Sequence, residues 1–204
     1  MKTKILKDFF WKTFLLISFL GVEYGVKAQG ATLTKEETVN YINKKLAESN
    51  EHKKTVSDGK ITATINWQTI EMSNNGIITR AISRSTKLEN LDCPDVNLFD
   101  EDKFNVSHIV TIELAKNYNE NEAVGTLKIK LLPKTGHSSG KFSAYSRVLM
   151  GRCVDREERS IYDLTVDEIS IYYLKGDPTN FKKIKKAFEY LRDLNKAEDD
   201  PFGD

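Results

Sequence analysis

The stretch Gly136-His137-Ser138-Ser139-Gly140-Lys141-Phe142 is the part of this chain that most invites a chemical reading. As a phosphate-binding loop it fails twice, because three residues rather than four separate the glycines and Phe142 stands where a Mg²⁺-binding hydroxyl is needed. A strand connection accounts for it better. As base and nucleophile, His137 beside Ser138 and Ser139 lacks the G-x-S-x-G elbow, and no orienting third residue is visible in the sequence. The three histidines, His52, His108 and His137, fall on different segments without an H-E-x-x-H pair, so no zinc site follows from their spacing. Asp95, Asn97 and Asp100 offer oxygen ligands in an acid-rich stretch, but not in the order of an EF-hand loop, and a solvated loop is the plainer reading. His108 alternates with Val106, Val110, Ile112 and Leu114, which predicts a partly buried imidazole satisfied by a hydrogen bond. No catalytic residue, cofactor or metal ligand is assigned. Asn105-Val106-Ser107 matches a glycosylation sequon only by chance.

Two further groups of side chains carry physical consequences. Lys182, Lys183, Lys185 and Lys186 form the one dense basic cluster. With Phe181, Ile184 and Phe188 on the opposite side of the same helix, these lysines read first as a solvated face. The sharper alternative is contact with an anionic membrane surface through Lys182, Lys183 and Lys186. Cys93 and Cys153 are the two cysteines of the chain. A bond between them would close a loop of about 60 residues and stabilise the fold by about 4 kcal/mol in the chain-entropy model. Two separate buried thiols are the other reading.

Which of these applies depends on where the protein goes. Lys2, Lys4, Lys7 and Lys12 precede the apolar run from Phe14 to Val22, and Val26-Lys27-Ala28 closes the segment. A positive start, a short apolar stretch and a small-residue site together predict a Sec leader over 1–28, cut after Ala28. The run falls short of the ~20 apolar residues of a spanning helix. No Cys follows the expected cut, so a lipid anchor is not expected, and the product is expected in the periplasm or outside the cell, where a disulfide is permitted.

The 204 residues balance 31 Lys and Arg against 30 Asp and Glu, a formal net of +1. The leader carries five of the lysines against Asp8 and Glu23, which leaves 26 basic and 28 acidic residues, net −2, in 29–204. A slightly acidic chain is poorly suited to nucleic acid. The full sequence is 39% apolar and 30% charged, and 29–204 is expected to be one folded domain with a short acidic tail.

The elements follow from period and punctuation. Thr34-Lys35-Glu36-Glu37 is a capping box, opening a helix to about Glu48 that buries Val39, Ile42 and Leu46. Ile61, Ala63, Ile65 and Trp67 then alternate with polar residues, Ser73-Asn74-Asn75-Gly76 supplies a turn, and Ile77 to Arg84 returns as a hairpin partner. Ser85 to Lys103 reads as a long loop. Strands are expected over Phe104–Leu114, Val124–Leu132, Phe142–Val154, Ile161–Val166 and Ile169–Leu174, with turns over Pro133–Gly140 and Asp155–Arg159. Asp177-Pro178 caps a last helix whose Phe181, Ile184, Phe188, Leu191 and Leu194 recur at helical steps. The sum is an α+β fold: about seven antiparallel strands in a curled sheet or barrel, flanked by an N-terminal and a C-terminal amphipathic helix. In element order it resembles the pleckstrin-homology-like superfold.

Over Asn40-Tyr41-Ile42-Asn43-Lys44-Lys45-Leu46, and again from Asp177 through Leu194 to the Asp199-Asp200-Pro201-Phe202-Gly203 tail, the chain resembles a group of small exported proteins of Gram-negative bacteria. That resemblance implies a shared framework of leader, capped helix, sheet and closing helix, and no activity. The expectation is an exported, non-catalytic envelope domain that binds a protein or small ligand. An envelope hydrolase or transferase of unrecognised type is the alternative.

Overall fold

The computed structural model describes residues 32–56, 61–86, 96–115, 120–149 and 152–199, with the side chains of 56, 61, 144–149, 152–156 and 199 left aside. The chain divides into Met1–Leu33 and Thr34–Asp204. All elements below belong to the second unit, and the expected leader lies outside the described residues.

The capping box forms as expected: Glu37 N–H donates to Thr34 Oγ1 at 3.1 Å and Thr34 N–H to the Glu37 carboxylate at 2.8 Å. These bonds hold Glu37 below the usual carboxylate range. Helix α1 then runs over Lys35–Ala47 and buries Thr38, Ile42 and Leu46. Among the described residues nine strands follow: β1 (Lys53–Val56), β2 (Ile61–Met72), β3 (Ile77–Thr86), β4 (Val96–Asn105), β5 (Ile109–Leu114), β6 (Val124–Leu131), β7 (Gly136–Leu149), β8 (Arg152–Val166) and β9 (Glu168–Leu174). A 3-10 turn, Val106–His108, parts β4 from β5, and helix α2 spans Asn180–Asp199. All pairings are antiparallel, in a six-stranded sheet ordered β1-β2-β3-β4-β7-β8 and a three-stranded sheet ordered β5-β6-β9.

The α+β class with flanking helices therefore stands. The larger sheet is open, with β1 and β8 at its two ends, rather than curled into a barrel. The expected loop over Ser85–Lys103 contains strand β4, since Asp100 and Asp102 are acids turned inward onto arginines and not toward solvent. The expected turn at Asp155–Arg159 lies within β8, because β7 and β8 pair from Gly136↔Val166 out to Leu149↔Arg152.

One core holds the layers together. Ile42 and Leu46 of α1, Ile184, Phe188 and Leu191 of α2, and Leu127, Ile129 and Ile171 of the smaller sheet meet Ile70, Ile78 and Phe104 of the larger one. Each such side chain contributes about 1.5–3 kcal/mol by leaving water. A second cluster, Ile65 and Ile82 with Val124 and Tyr172, joins the two sheets. Gln68 strengthens that joint by accepting from Tyr172 N–H at 3.3 Å and donating to Tyr172 C=O at 2.6 Å. Between β1 and the turn before β6, buried Lys54 bonds Glu122 at 2.9 Å. Burial alone would raise the Glu122 pKa, but the bonds from Lys54 and Thr55 outweigh it and lower it.

Strand β2 is longer than its partner β1, so its far half would expose an unpaired edge. Asn43 of α1 covers it, accepting from Ile70 N–H at 2.7 Å and donating to Ile70 C=O at 2.9 Å, as a neighbouring strand would. At the β2–β3 turn Gly76 has φ +77°, and a Cβ there would sit 2.5 Å from Asn195 Oδ1 of α2. Only glycine suits both demands. Replacing Asn43 by Ala leaves two backbone groups of β2 unpaired, and urea denaturation of Asn43→Ala should show a loss of about 2 kcal/mol.

Candidate functional site

The strand register sorts the larger sheet into two faces. On the inner face, Ile70, Arg80, Asp102, Ser138 and Leu164 lie in one row across β2, β3, β4, β7 and β8, and Gln68, Ile82, Asp100, Gly140 and Tyr162 lie in the next. Arg80 Nη1 binds Asp102 Oδ2, and Ser138 Oγ donates to Asp102 Oδ1 at 2.5 Å. Arg84 Nη2 binds Asp100 Oδ2, and Tyr162 OH donates to Asp100 Oδ1 at 2.8 Å. The first ion pair is 5% and 7% exposed, which makes its charges costly unless fully paired. Burial, followed by the Asp100 charge, pushes the Tyr162 phenol up to about 12. Tyr162 therefore stays protonated and acts as a donor, not as a base or nucleophile.

Gly140 makes this reach possible, since a Cβ there would come within 2.4 Å of the Tyr162 ring. Each carboxylate is met by one arginine and one hydroxyl, so the cluster is charge-balanced. It fits a role in holding strands together better than one in turnover. The Nε atoms of Arg80 and Arg84 have no partner among the described residues.

The outer face is built differently. A bulge between Ile65 and Trp67 inserts one extra residue into β2, so Asn66 and Trp67 both turn outward while Ile65 and Gln68 stay in. Asn66 is pinned in place, donating to Ser83 Oγ at 3.1 Å and accepting from Ser85 Oγ at 2.9 Å. Trp67 is 40% exposed, and its ring meets Phe99 of β4 at 5.9 Å with the planes tilted by 57°. Beside Phe99 a hollow of about 410 Å³ is lined by Asn97, Phe99, Lys141, Phe142, Ser143 and Glu158. Lys141 and Glu158 face each other across it at 3.4 Å.

The residues singled out in the sequence are dispersed by this arrangement. Strand alternation sends Ser138 inward to Asp102 and leaves His137 and Ser139 on the outer face. There His137 Nε2 lies 2.6 Å from Asp163, an exposed pair, and no bond joins His137 to Ser139 among the described residues. Asn97 and Asp100 occupy opposite faces of β4, and Asp95 lies outside the described residues, so the three do not converge as calcium ligands. Among the described residues no group of three His, Cys, Asp or Glu is placed to hold a metal.

His108 ends the 3-10 turn instead of continuing a strand, and its buried Nδ1 has no partner among the described residues. The hydrogen bond expected to satisfy that nitrogen is absent there. The Asn105 amide is occupied by Ser107 and by the Asn75 carbonyl. Of the basic cluster, Lys183 is bonded to Asp177 at 2.6 Å and Lys185 approaches Glu189 at 3.8 Å. Lys182 and Lys186 are exposed with no ion pair among the described residues. No described helix is long and apolar enough to cross a membrane. Cys93 lies outside the described residues, and only the backbone of Cys153, in β8, is described.

Sequence reasoning passed over the arginines and the aromatic pair. A signal for the first exists: Arg80 and Arg84 fall in phase with Ile78 and Ile82, on the side of the strand that must be buried. No family model matches the chain, and no curated protein or solved structure matches it.

Asp102→Ala would strand Arg80 in the interior, and urea denaturation should show a loss of about 3–5 kcal/mol, much of it recovered in Arg80→Met/Asp102→Leu. The Tyr162 phenol is raised from 10.0 to about 12 on folding. Its linkage contribution is therefore complete below pH 10 and disappears as pH rises through 12. NMR titration of ring-labelled tyrosine should find the resonance that Tyr162→Phe removes among the last to ionise.

Proposed function

We propose that this protein is an exported, non-catalytic binding domain of the bacterial cell envelope, with its binding surface on the outer face of the six-stranded sheet. The observation that carries the reading is the exposed Trp67, packed on the half-buried Phe99 that lines an open hollow. A tryptophan left in water forgoes the burial that would stabilise the fold, and tryptophan is the side chain most over-represented where binding energy concentrates. The half-open hollow suits recognition, whereas an active site is expected to gather polar groups in a deep cleft. Export is supported by the charge and hydropathy pattern of 1–28. In an oxidising compartment Cys93 and Cys153 would form the disulfide, which alkylation of free thiols reads directly.

Two measurements test the proposal. N-terminal sequencing of the envelope-fraction product should begin at Gln29, and a product retaining Met1 in the cytoplasm overturns the export reading. Affinity capture from envelope extract should recover a reproducible protein or small-molecule ligand that Trp67→Ala loses while its urea midpoint stays unchanged. Capture indifferent to Trp67→Ala and Phe99→Ser overturns the assignment of this face.

A further inference from the structure

We infer that the hollow beside Phe99, together with the Trp67 ring that meets Phe99 at its rim, takes a neutral saccharide. The inference rests on the reading of this face as the binding surface and names its ligand class. A sugar ring offers an apolar face of C–H groups and an equatorial rim of hydroxyls. Recognition therefore needs a flat aromatic ring held open to solvent next to short side chains that both donate and accept.

The outer face supplies both. Trp67 and Phe99 stand across Ser83, on β2 and β4, at 5.9 Å with a 57° tilt, so the two rings form an angled ledge rather than a stack that would hide their faces. The bulge that turns Trp67 outward is locked by the Asn66 bonds to Ser83 and Ser85, so the ledge is in place before any ligand arrives. In the row next to the ledge, Ser85 of β3, Asn97 of β4, Ser143 of β7 and Glu158 of β8 follow one another. The Asn97 amide has no hydrogen-bond partner among the described residues, which leaves a donor and an acceptor side by side, the pattern that vicinal hydroxyls complete.

Charge decides the class of saccharide. Lys141 and Glu158 are the two ions lining the hollow, and at 3.4 Å they neutralise each other. An anionic polymer would gain an attraction to Lys141 and an equal repulsion from Glu158. A hollow of about 410 Å³ is at the small end of the usual range for ligand sites, about 300–1,000 Å³. One or two sugar rings fit that space with the rest of a chain running out over the open sheet.

The test is calorimetry and tryptophan fluorescence on the exported chain with maltohexaose, cellohexaose, laminarihexaose, xylohexaose and chitohexaose, and polygalacturonate as the anionic control. Trp11 belongs to the expected leader, so in the cleaved product Trp67 is the reporting indole. At least one neutral hexasaccharide should bind with a Kd of roughly 10 µM to 1 mM, shift the Trp67 emission, and show no dependence on salt. Trp67→Ala should weaken it at least about tenfold and Asn97→Ala at least about threefold, with the urea midpoints unchanged. No heat with any hexasaccharide at 10 mM (~1 mM being already weak binding), tighter salt-sensitive binding of polygalacturonate, or binding unchanged in both variants overturns the inference. If a protein captured from envelope extract depends on Trp67 while no saccharide binds, the face remains the binding surface and the saccharide alone is wrong.

Discussion

Three buried charges and one partly buried one set the terms on which the larger sheet exists. Arg80 and Arg84 on β3 meet Asp102 and Asp100 on β4, and Ser138 of β7 and Tyr162 of β8 complete the carboxylates. The Arg80–Asp102 pair is almost wholly withdrawn from water and the Arg84–Asp100 pair largely so, and an arrangement that leaves one of these charges alone is disfavoured. A slip of one residue between any two of β3, β4, β7 and β8 would turn the polar atoms to the opposite face. The network thus selects one register for four strands at once, a specificity that interchangeable aliphatic pairs would not supply.

That constraint divides the labour between the faces. The inner face is committed to the Arg–Asp network and, beyond it, to Ile78 and Phe104 under the helices and the smaller sheet. Its free edges are closed by side-chain amides: Asn43 along β2, and Gln68 between β2 and β9. The outer face carries Trp67, Phe99 and a band of short polar side chains, and none of these is needed to close the core. The recognition proposed for that face would leave the interior undisturbed. A local irregularity, the β2 bulge, creates the ledge at little cost to the ladder on either side of it.

Much of this order is legible along the chain, and the failures have physical causes. The capped helix, the Ser73–Gly76 turn and the closing amphipathic helix are local devices, each completed within a few residues, and each forms where the residues indicate. Strand β4 was unreadable because Asp100, Glu101, Asp102 and Lys103 look like a solvated run. Asp100 and Asp102 are buried only because arginines about twenty residues earlier are waiting for them. Trp67 alternates with Ile65 in the sequence and so reads as core, yet the extra bulge residue reverses its direction. His137 and Ser138 are adjacent in sequence and sent to opposite faces by the pleat.

By itself, then, the sequence determined the α+β class, the two helices, the capping box of the first, and most strand positions, since these depend on period, charge and neighbours within a turn or two, whereas the last helix starts at Asn180, beyond the expected Asp177 cap. Tertiary structure alone decided that the larger sheet stays open, that two arginines and two aspartates form one buried network, and that Trp67 and Phe99 meet on the solvent side. Those outcomes depend on register between strands far apart in the chain. Register is settled by which charges find partners across the sheet, a relation that the order of residues in a single chain does not display.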